Sequence, residues 1–322
     1  MESWQRQFIR HLFPYSASHL QIEQAFLVKH LHIPSLLYKY RDFTDTHLDA
    51  LKRGVLYMSS PNRFNDPFDT TVYFDPSRFI VEDLPAHELI KRAKTRDELF
   101  GSQETWHPEP IKNPIRQSDW LRKIMADVLR DEPLEMRDAL ETFLADLNDQ
   151  KYREMRQKMS NWLRSGFSVL SLSDDPTSIL MWSHYSNSHQ GFCIEYDFGS
   201  LPPTDLRRRM CFPVLYRGKR TDATRYMANT GATDFNNLFG QYLCLLKDTS
   251  WSYEKEWRIV HTIGADYANR EIHMPRPSAI IVGSAAKSDD VEVMKVYCAA
   301  TGIALKRAVQ SDSTAQIIIA EK

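Results

Sequence analysis

Long apolar runs are absent from this sequence. No stretch of the 322 residues approaches the apolar length of about 18 residues that a membrane helix needs. The N-terminus also lacks the apolar core of a signal peptide. We therefore expect a cytoplasmic protein with no membrane partner.

Cysteine is scarce and is not arranged for metal or disulfide chemistry. The four residues Cys193, Cys211, Cys244 and Cys298 lie far apart and form neither a CxxC pair nor a zinc-ligand spacing. Such residues are typical of reduced, mostly buried thiols.

Neither sign of charge is in excess, because 41 Lys and Arg residues face 42 Asp and Glu residues. The net charge of -1 gives no indication of nucleic acid or membrane, although a local patch stays open. The P-loop, GxGxxG, HExxH and nucleophile-elbow signatures are missing as well. With 42% apolar residues, the chain can nevertheless bury a sizeable core.

The chain predicts a core domain with an insertion. Residues 1–33 form two short helices ahead of it, and residues 34–76 and 166–322 supply the core. Hairpin and crossover connections are mixed there, which indicates an α+β class with a mixed, mainly antiparallel sheet. Residues 77–165, rich in Glu, Lys and Arg with apolar residues at 3.6 spacing, predict a helical insertion, or else a separate helical domain.

The core opens with a strand–helix–strand unit followed by an unusual loop. Leu36–Tyr40 and Val55–Met58 are short, apolar and aromatic, which favours strands. Gly54 stands where a helix C-cap belongs. The loop Phe64–Asp69 packs two aromatic residues around polar turn residues, so we expect it to dock against something.

An acidic pair is the strongest candidate for chemistry. On a strand over Ser252–Val260, Glu254, Glu256 and Arg258 share one face because the side-chain period is two. Two carboxylates one step apart repel each other unless a cation, a substrate hydroxyl or a raised pKa relieves them. The alternative is an exposed strand face on which Arg258 pairs with Glu256.

Two further polar candidates lie at strand ends. Arg41 ends the first strand beside Tyr38, and its guanidinium suits phosphate or carboxylate, although a surface ion pair is the simpler explanation. Ser171 and Ser173 place two hydroxyls on one strand face, where serines usually act as caps.

Trp182 and Tyr185 share a face of a short helix, where such residues belong to a core more often than to a ligand stack. His184 lies between them and could act as a base, but a structural histidine is commoner.

The loop also offers oxygen ligands. Asn65, Asp66 and Asp69 could hold a divalent metal. The same residue types form Asx-Pro turns through local backbone hydrogen bonds, and we favour that explanation.

Four motifs carry a family resemblance. LYKYR, the run ending in FNDPFD, the MWSHY…GFCIEYD segment and YEKEWRIV together resemble the bacterial family called domain of unknown function 2971, over roughly Leu36–Gly283. The family name implies no activity.

A second resemblance does imply one. An Arg on the first strand, a Ser-x-Ser on a middle strand and a Glu-x-Glu on a later strand are similar to the R-S-E pattern of ADP-ribosyltransferases. In that family the Arg holds NAD, the serine positions the catalytic Glu, and the Glu binds the nicotinamide ribose. The resemblance assigns these roles to Arg41, Ser171 and Glu256, with Glu254 activating the acceptor.

The same resemblance implies a cleft in which Tyr38 and Ser59 contact NAD and Tyr57, Trp182 or Tyr185 stacks on nicotinamide. It requires Arg41, Ser171 and Glu256 to converge on one cleft, and side chains on different sheet faces would count against it.

The expected function is therefore an NAD-consuming ADP-ribosyltransferase-like enzyme, of the bacterial toxin or anti-phage defence type. Its acceptor would be protein or nucleic acid, and an antitoxin or defence-system protein would be a partner. The alternatives are a metal-dependent nuclease that uses the Asn65, Asp66 and Asp69 loop, and a non-catalytic sensor or interaction module.

Overall fold

The computed structural model describes residues 1–66, 68–70, 72–73, 166–223, 226, 234–262 and 270–321, together with isolated positions at 153–154, 157–158 and 162. The chain divides into two compact units. The first comprises residues 1–72, 163–221 and 234–322, and the second comprises 73–162 and 222–233. The predicted helical insertion at 77–165 lies outside the described residues apart from those isolated positions, and it stays a prediction.

The strands, in chain order, are β1 (Leu36–Arg41), β2 (Val55–Tyr57), β3 (Val72–Tyr73), β4 (Phe167–Ser173), β5 (Phe192–Asp197), β6 (Cys211–Pro213), β7 (Leu215–Arg217), β8 (Thr221–Asp222), β9 (Leu246–Asp248), β10 (Glu256–Thr262), β11 (Glu271–His273), β12 (Ala279–Val282), β13 (Ala304–Gln310) and β14 (Ile317–Glu321). The helices are α1 (Ser3–Leu12), α2 (Ile22–His30), α3 (Asp45–Arg53), α4 (Ile179–Tyr185), α5 (Leu206–Arg209), α6 (Phe239–Leu243) and α7 (Ser288–Thr301). Single 3-10 turns occupy Ala17–His19, Pro61–Arg63 and Thr249–Glu254. Among the described helices, none combines the length and the apolar character that crossing a membrane requires.

One mixed sheet organises the first unit. Eight described strands lie in the order β14-β13-β12-β5-β1-β4-β10-β6. The pairing of β12 with β13 is parallel, since α7 forms the crossover between them, and the other pairings in this sheet are antiparallel. The predicted α+β class with a mainly antiparallel sheet is confirmed.

Alternation along the strands builds a core on each face of this sheet. On one face, Leu37, Leu172 and Ile194 belong to the larger apolar cluster, which α7 covers. On the other face, Tyr38, Tyr40 and Cys193 pack with α4. The four cysteines are free and buried, as the sequence predicts.

The opening strand–helix–strand unit follows its sequence signals. The Thr44 side chain accepts a hydrogen bond from the backbone N–H of His47 at the start of α3. Gly54 ends this helix at φ 65°, a left-handed conformation that a side chain would disfavour. β2 then begins directly at Val55.

The ladder between β1 and β4 is broken, and this break shapes the site. The two strands pair at Tyr38 and Ser173, but farther along β4 its residue Val169 exchanges two 2.8 Å backbone hydrogen bonds with Ser59 instead. The Lys39 ammonium donates a 2.6 Å hydrogen bond to the Ser171 carbonyl within the gap. The Ser171 carbonyl, which receives no backbone hydrogen bond from β1, thereby gains a donor.

A buried lysine joins α2 to the C-terminal end of α5. The Lys29 ammonium is fully buried, donates to the carbonyls of Arg208 and Arg209, and lies 4.8 Å from the ring centres of Phe26 and Phe212. Burial lowers the pKa of Lys29 to about 7, because the charged form loses its hydration.

This lysine gives a pH-dependent prediction for stability. Between about pH 7 and 10 the unfolded chain binds a proton at Lys29 that the folded chain does not, so its contribution to the free energy of unfolding rises with pH. The free energy of unfolding of the wild type, measured with urea and compared with that of Lys29→Met, should rise by up to about 1.4 kcal/mol per pH unit over this range. Lys52→Met, at an exposed position of α3, is the control. A difference from Lys29→Met that does not change with pH would contradict the expectation.

Candidate active site

A cleft of about 430 Å³ opens where β1 and β4 separate. All but one of the residues predicted to form the site line it. These are Tyr38, Arg41, Tyr57, Ser59, Ser171, Tyr185, Glu254 and Glu256. The sequence order of Arg, Ser-x-Ser and Glu-x-Glu is therefore matched by a shared location, while the roles of these residues stay predictions.

Glu256 is the most constrained carboxylate of the cleft. It accepts hydrogen bonds from Arg258 Nε at 2.8 Å and Nη2 at 3.0 Å, and from Lys247 Nζ at 3.0 Å. Ser171 lies opposite Arg258 on the neighbouring strand and therefore shares the sheet face of Glu256. Burial alone would raise the pKa of Glu256, but the charges of Arg258 and Lys247 outweigh burial and lower the pKa to about 2.

Glu254 reaches the same place by a different route from the one predicted. The strand begins only at Glu256, because residues 249–254 form a 3-10 turn and Lys255 takes a left-handed conformation at φ 44°. Glu254 therefore does not share a strand face with Glu256. Its carboxylate accepts a 2.7 Å hydrogen bond from the Tyr185 hydroxyl and a 2.5 Å hydrogen bond from Lys247 Nζ.

The two glutamates have opposite pKa shifts. Burial, followed by the negative charge of Glu256, raises the pKa of Glu254 above its ordinary value, although Lys247 opposes the rise. Glu256 stays ionised over the whole neutral range, whereas Glu254 holds a proton more readily. Two carboxylates whose environments separate their pKa values are typical of sites that assign different roles to them.

The aromatic loop docks into this site, as predicted. Asp69 receives Arg258 in a bidentate pair, with Nη1 at 2.9 Å and Nη2 at 2.6 Å. The guanidinium carbon of Arg258 lies 4.9 Å from the centre of the Phe64 ring. The Asn65 amide donates a 3.2 Å hydrogen bond to the Tyr185 hydroxyl. The loop thus holds both Arg258 and Tyr185 in place.

The geometry of this loop gives little support to a metal site. Asp66 Oδ1 accepts a 2.8 Å hydrogen bond from the backbone N–H of Phe68, which is the local turn bonding that we favoured. Asp69 is occupied by Arg258, and Asn65 by Tyr185. Within the described residues, no group of three or more His, Cys, Asp or Glu side chains is placed to hold a metal ion.

Arg41 lines the cleft from the opposite face of the sheet. Tyr38 lies opposite Ser173, so the face of Tyr38 carries Ser171 and Glu256, and Arg41 belongs to the other face. It reaches the cleft because β1 and β4 separate beyond Tyr38. Burial lowers the pKa of Arg41, and the carboxylate that opposes this is Asp42 rather than either member of the acidic pair. The equivalence of Arg41 to the transferase arginine is weakened accordingly.

Trp182 is the predicted site residue that the structure does not bring to the cleft. It is fully buried, its indole N–H donates to the Pro176 carbonyl at 2.8 Å, and its ring meets Tyr40 edge-on at 5.1 Å. Its proposed stacking on nicotinamide is therefore wrong. Tyr57, 44% exposed, remains an aromatic residue that a ligand can reach.

Two lysines of the site were missed by sequence reasoning. Lys247 lies in the short strand β9, which runs parallel to β7. Lys39 lies inside β1, and burial lowers its pKa well below the ordinary value. A cation within an otherwise apolar stretch is the one local signal that could have identified either residue.

Residues 181–259 match the family model described as Protein of unknown function (DUF2971). That match confirms the resemblance to this family. The matched segment of this chain contains Tyr185, Lys247, Glu254, Glu256 and Arg258, which are most of the charged cluster described above. No curated protein and no solved structure matches the chain significantly.

The buried pair of Asp69 and Arg258 should be worth far more than a surface pair. Asp69→Asn keeps the shape but leaves part of a buried positive charge uncompensated, and we expect a loss of about 3–5 kcal/mol in the free energy of unfolding. Asp49→Asn removes the exposed partner of Arg53 and should cost at most about 1 kcal/mol. Urea unfolding of both variants measures the difference, and equal losses would show that Asp69 does not anchor the site.

Proposed function

We propose that the protein is an NAD-consuming ADP-ribosyltransferase-like enzyme, which cleaves the bond between nicotinamide and ribose and transfers ADP-ribose to a macromolecule. The observation that carries this proposal is the placement of Glu256, Ser171 and Glu254 around one cleft, with Lys247 bonded to both glutamates. The matching family model has no assigned activity, so it neither supports nor opposes this assignment.

The environment of Glu256 fits a group that stabilises positive charge. Departure of nicotinamide leaves an oxocarbenium-like centre on the ribose, and a nearby carboxylate lowers the energy of that centre. A pKa of about 2 makes Glu256 a poor proton acceptor at neutral pH, but it keeps the negative charge always present. Hydrogen bonds from Arg258 and Lys247 fix its position before the substrate binds.

The environment of Glu254 fits a base. Its pKa is raised by burial and by Glu256, which brings it closer to the range where a carboxylate accepts a proton from an attacking nucleophile. The Tyr185 hydroxyl donates a hydrogen bond to one oxygen of its carboxylate, and the Lys247 ammonium donates to the other. Glu254 would activate the acceptor while Glu256 stabilises the electrophile.

The remaining lining of the cleft suits a dinucleotide. Cations that can bind its phosphates are Lys39, Arg41 and Arg63, and Tyr57 offers an exposed ring for stacking. Burial lowers the pKa of Lys39 and its Nζ already donates to the Ser171 carbonyl, so Arg41 and Arg63 are the better candidates for the phosphates. A volume of about 430 Å³ falls within the range of small-molecule sites.

The alternatives are less well supported. An interaction module that docks a partner through the aromatic loop has only Phe68 exposed for the purpose, because Phe64 faces Arg258 and Asp69 is buried in its pair with Arg258. A bacterial toxin or anti-phage defence setting, with an antitoxin or defence-system partner, extends the proposal and has the same resemblance as its basis.

Nicotinamide release tests the proposal directly. Glu256→Gln keeps the shape of the side chain and removes the charge, so release from NAD should fall at least about 100-fold. Glu195→Gln is a matched control, because Glu195 is an equally buried glutamate that pairs with Lys306 and does not line the cleft. Thermal unfolding of both variants checks folding. Equal release by the wild type and Glu256→Gln, or no binding of NAD, would end the proposal.

The pH dependence of the same reaction tests the role of Glu254. The base must be deprotonated, so the rate of NAD cleavage with water as acceptor should rise with pH through the raised pKa of Glu254, above the ordinary value of about 4.3. Glu254→Gln should be slow and should lose this rise. Rates measured from pH 4.5 to 8 decide the matter, and an unchanged profile in the variant would remove Glu254 from the role of base.

A further inference from the structure

A second pocket, of about 290 Å³, lies next to the candidate active site and takes no part in the mechanism above. It is lined by Phe68, by the segment from Arg217 to Thr221 and by the strand β9. Lys247 lines both this pocket and the cleft, so the two share a wall.

The parallel pair of β7 and β9 builds that wall. Tyr216 lies opposite Lys247, and Arg217 lies opposite Asp248. The Tyr216 hydroxyl accepts a 2.8 Å hydrogen bond from the backbone N–H of Glu256, while its neighbour Arg217 lines the second pocket. One residue of β7 thus contacts the candidate active site and the next lines the second pocket. Their adjacency in the strand fixes the position of the pocket relative to the active site.

The charge of the second pocket is mainly positive. Besides Lys247, which is paired with the two glutamates, the pocket is lined by Arg217, Lys219 and Arg220. Its one carboxylate, Asp248, already accepts a 2.8 Å hydrogen bond from the backbone N–H of Ser250. In the part of the chain that the structure describes, Lys219 and Arg220 form no ion pair, and the buried Nε of Arg217 has no acceptor. The overall charge of -1 conceals this local excess.

An aromatic ring lies within this basic group. Phe68 is 58% exposed, and the guanidinium carbon of Arg220 is 5.2 Å from its ring centre. Cations beside an accessible ring are what single-stranded nucleic acid requires, because the cations bind phosphates and the ring stacks on a base. An acidic peptide would use the cations but would gain little from the ring.

We propose that the pocket lined by Phe68, Arg217, Lys219 and Arg220 is the acceptor-docking site and that it takes single-stranded nucleic acid. As an acceptor assignment, this rests on the proposed function. Lys247 separates the pocket from the cleft, so only a polymeric acceptor can occupy the pocket and reach the cleft at the same time. Nucleotides held in the pocket would present a neighbouring nucleotide to Glu254.

Binding of labelled oligonucleotides tests the proposal without NAD. Single-stranded DNA and RNA 12-mers are titrated with the full chain, by fluorescence anisotropy, at several salt concentrations. In Lys219→Gln/Arg220→Gln we expect at least about tenfold weaker binding and a salt slope smaller by about 1.4, since two phosphate contacts are lost. Phe68→Ala should weaken binding about tenfold as well. Lys52→Gln/Lys287→Gln, which changes two exposed lysines elsewhere, is the matched control and should bind like the wild type.

The outcomes separate this proposal from the previous one. Equal oligonucleotide affinity in the pocket and control variants, or a poly-glutamate peptide that binds as tightly as the oligonucleotide, would overturn it. Nicotinamide release with water as acceptor should be unchanged in Lys219→Gln/Arg220→Gln. If the wild type releases no nicotinamide, the proposed function fails. The oligonucleotide titrations then still show whether the pocket binds single-stranded nucleic acid.

Discussion

The structure around the cleft depends on one buried guanidinium. Arg258 is 1% exposed, and it is held between the carboxylates of Asp69 and Glu256. A charge removed from water to this extent is tolerated only when its partners are in place. The loop that ends at Asp69 and the strand that begins at Glu256 therefore have to meet, although 187 positions separate them in the sequence. This constraint positions the aromatic loop, Tyr185 and Glu254 together.

The balance of charge in the cluster connects its stability to its chemistry. Asp69, Glu254 and Glu256 outnumber Lys247 and Arg258, and each of the five is at least 94% buried. Glu254 has no guanidinium partner, and burial followed by the negative charge of Glu256 raises its pKa. Glu256 keeps its charge because Arg258 and Lys247 both contact it. An arrangement that leaves one carboxylate poorly compensated costs stability, and such a cost is typical of functional sites.

The parts of the fold that could be predicted are those that local pattern determines. Short apolar runs such as β4 and β12 indicate strands, and Gly54 ends α3 where a left-handed residue is required. The failures have tertiary causes. Residues 249–254 turn because Asp248 caps them and Lys255 is left-handed, and Trp182 is buried because Tyr40 and Pro176 contact it. Lys247 was missed because its partners, Glu254 and Glu256, become neighbours only after β9 pairs with β7.

The broken ladder between β1 and β4 explains why the order of motifs predicts a location better than it predicts contacts. In an intact sheet, Arg41 and Glu256 would be separated by the sheet itself. Because Ser59 takes over the pairing of Val169, a cleft opens through the sheet and residues of both faces line it. Lys39 occupies that gap and bonds to the Ser171 carbonyl, so its ammonium lies closer to the Ser-x-Ser motif than the register of Arg41 allows.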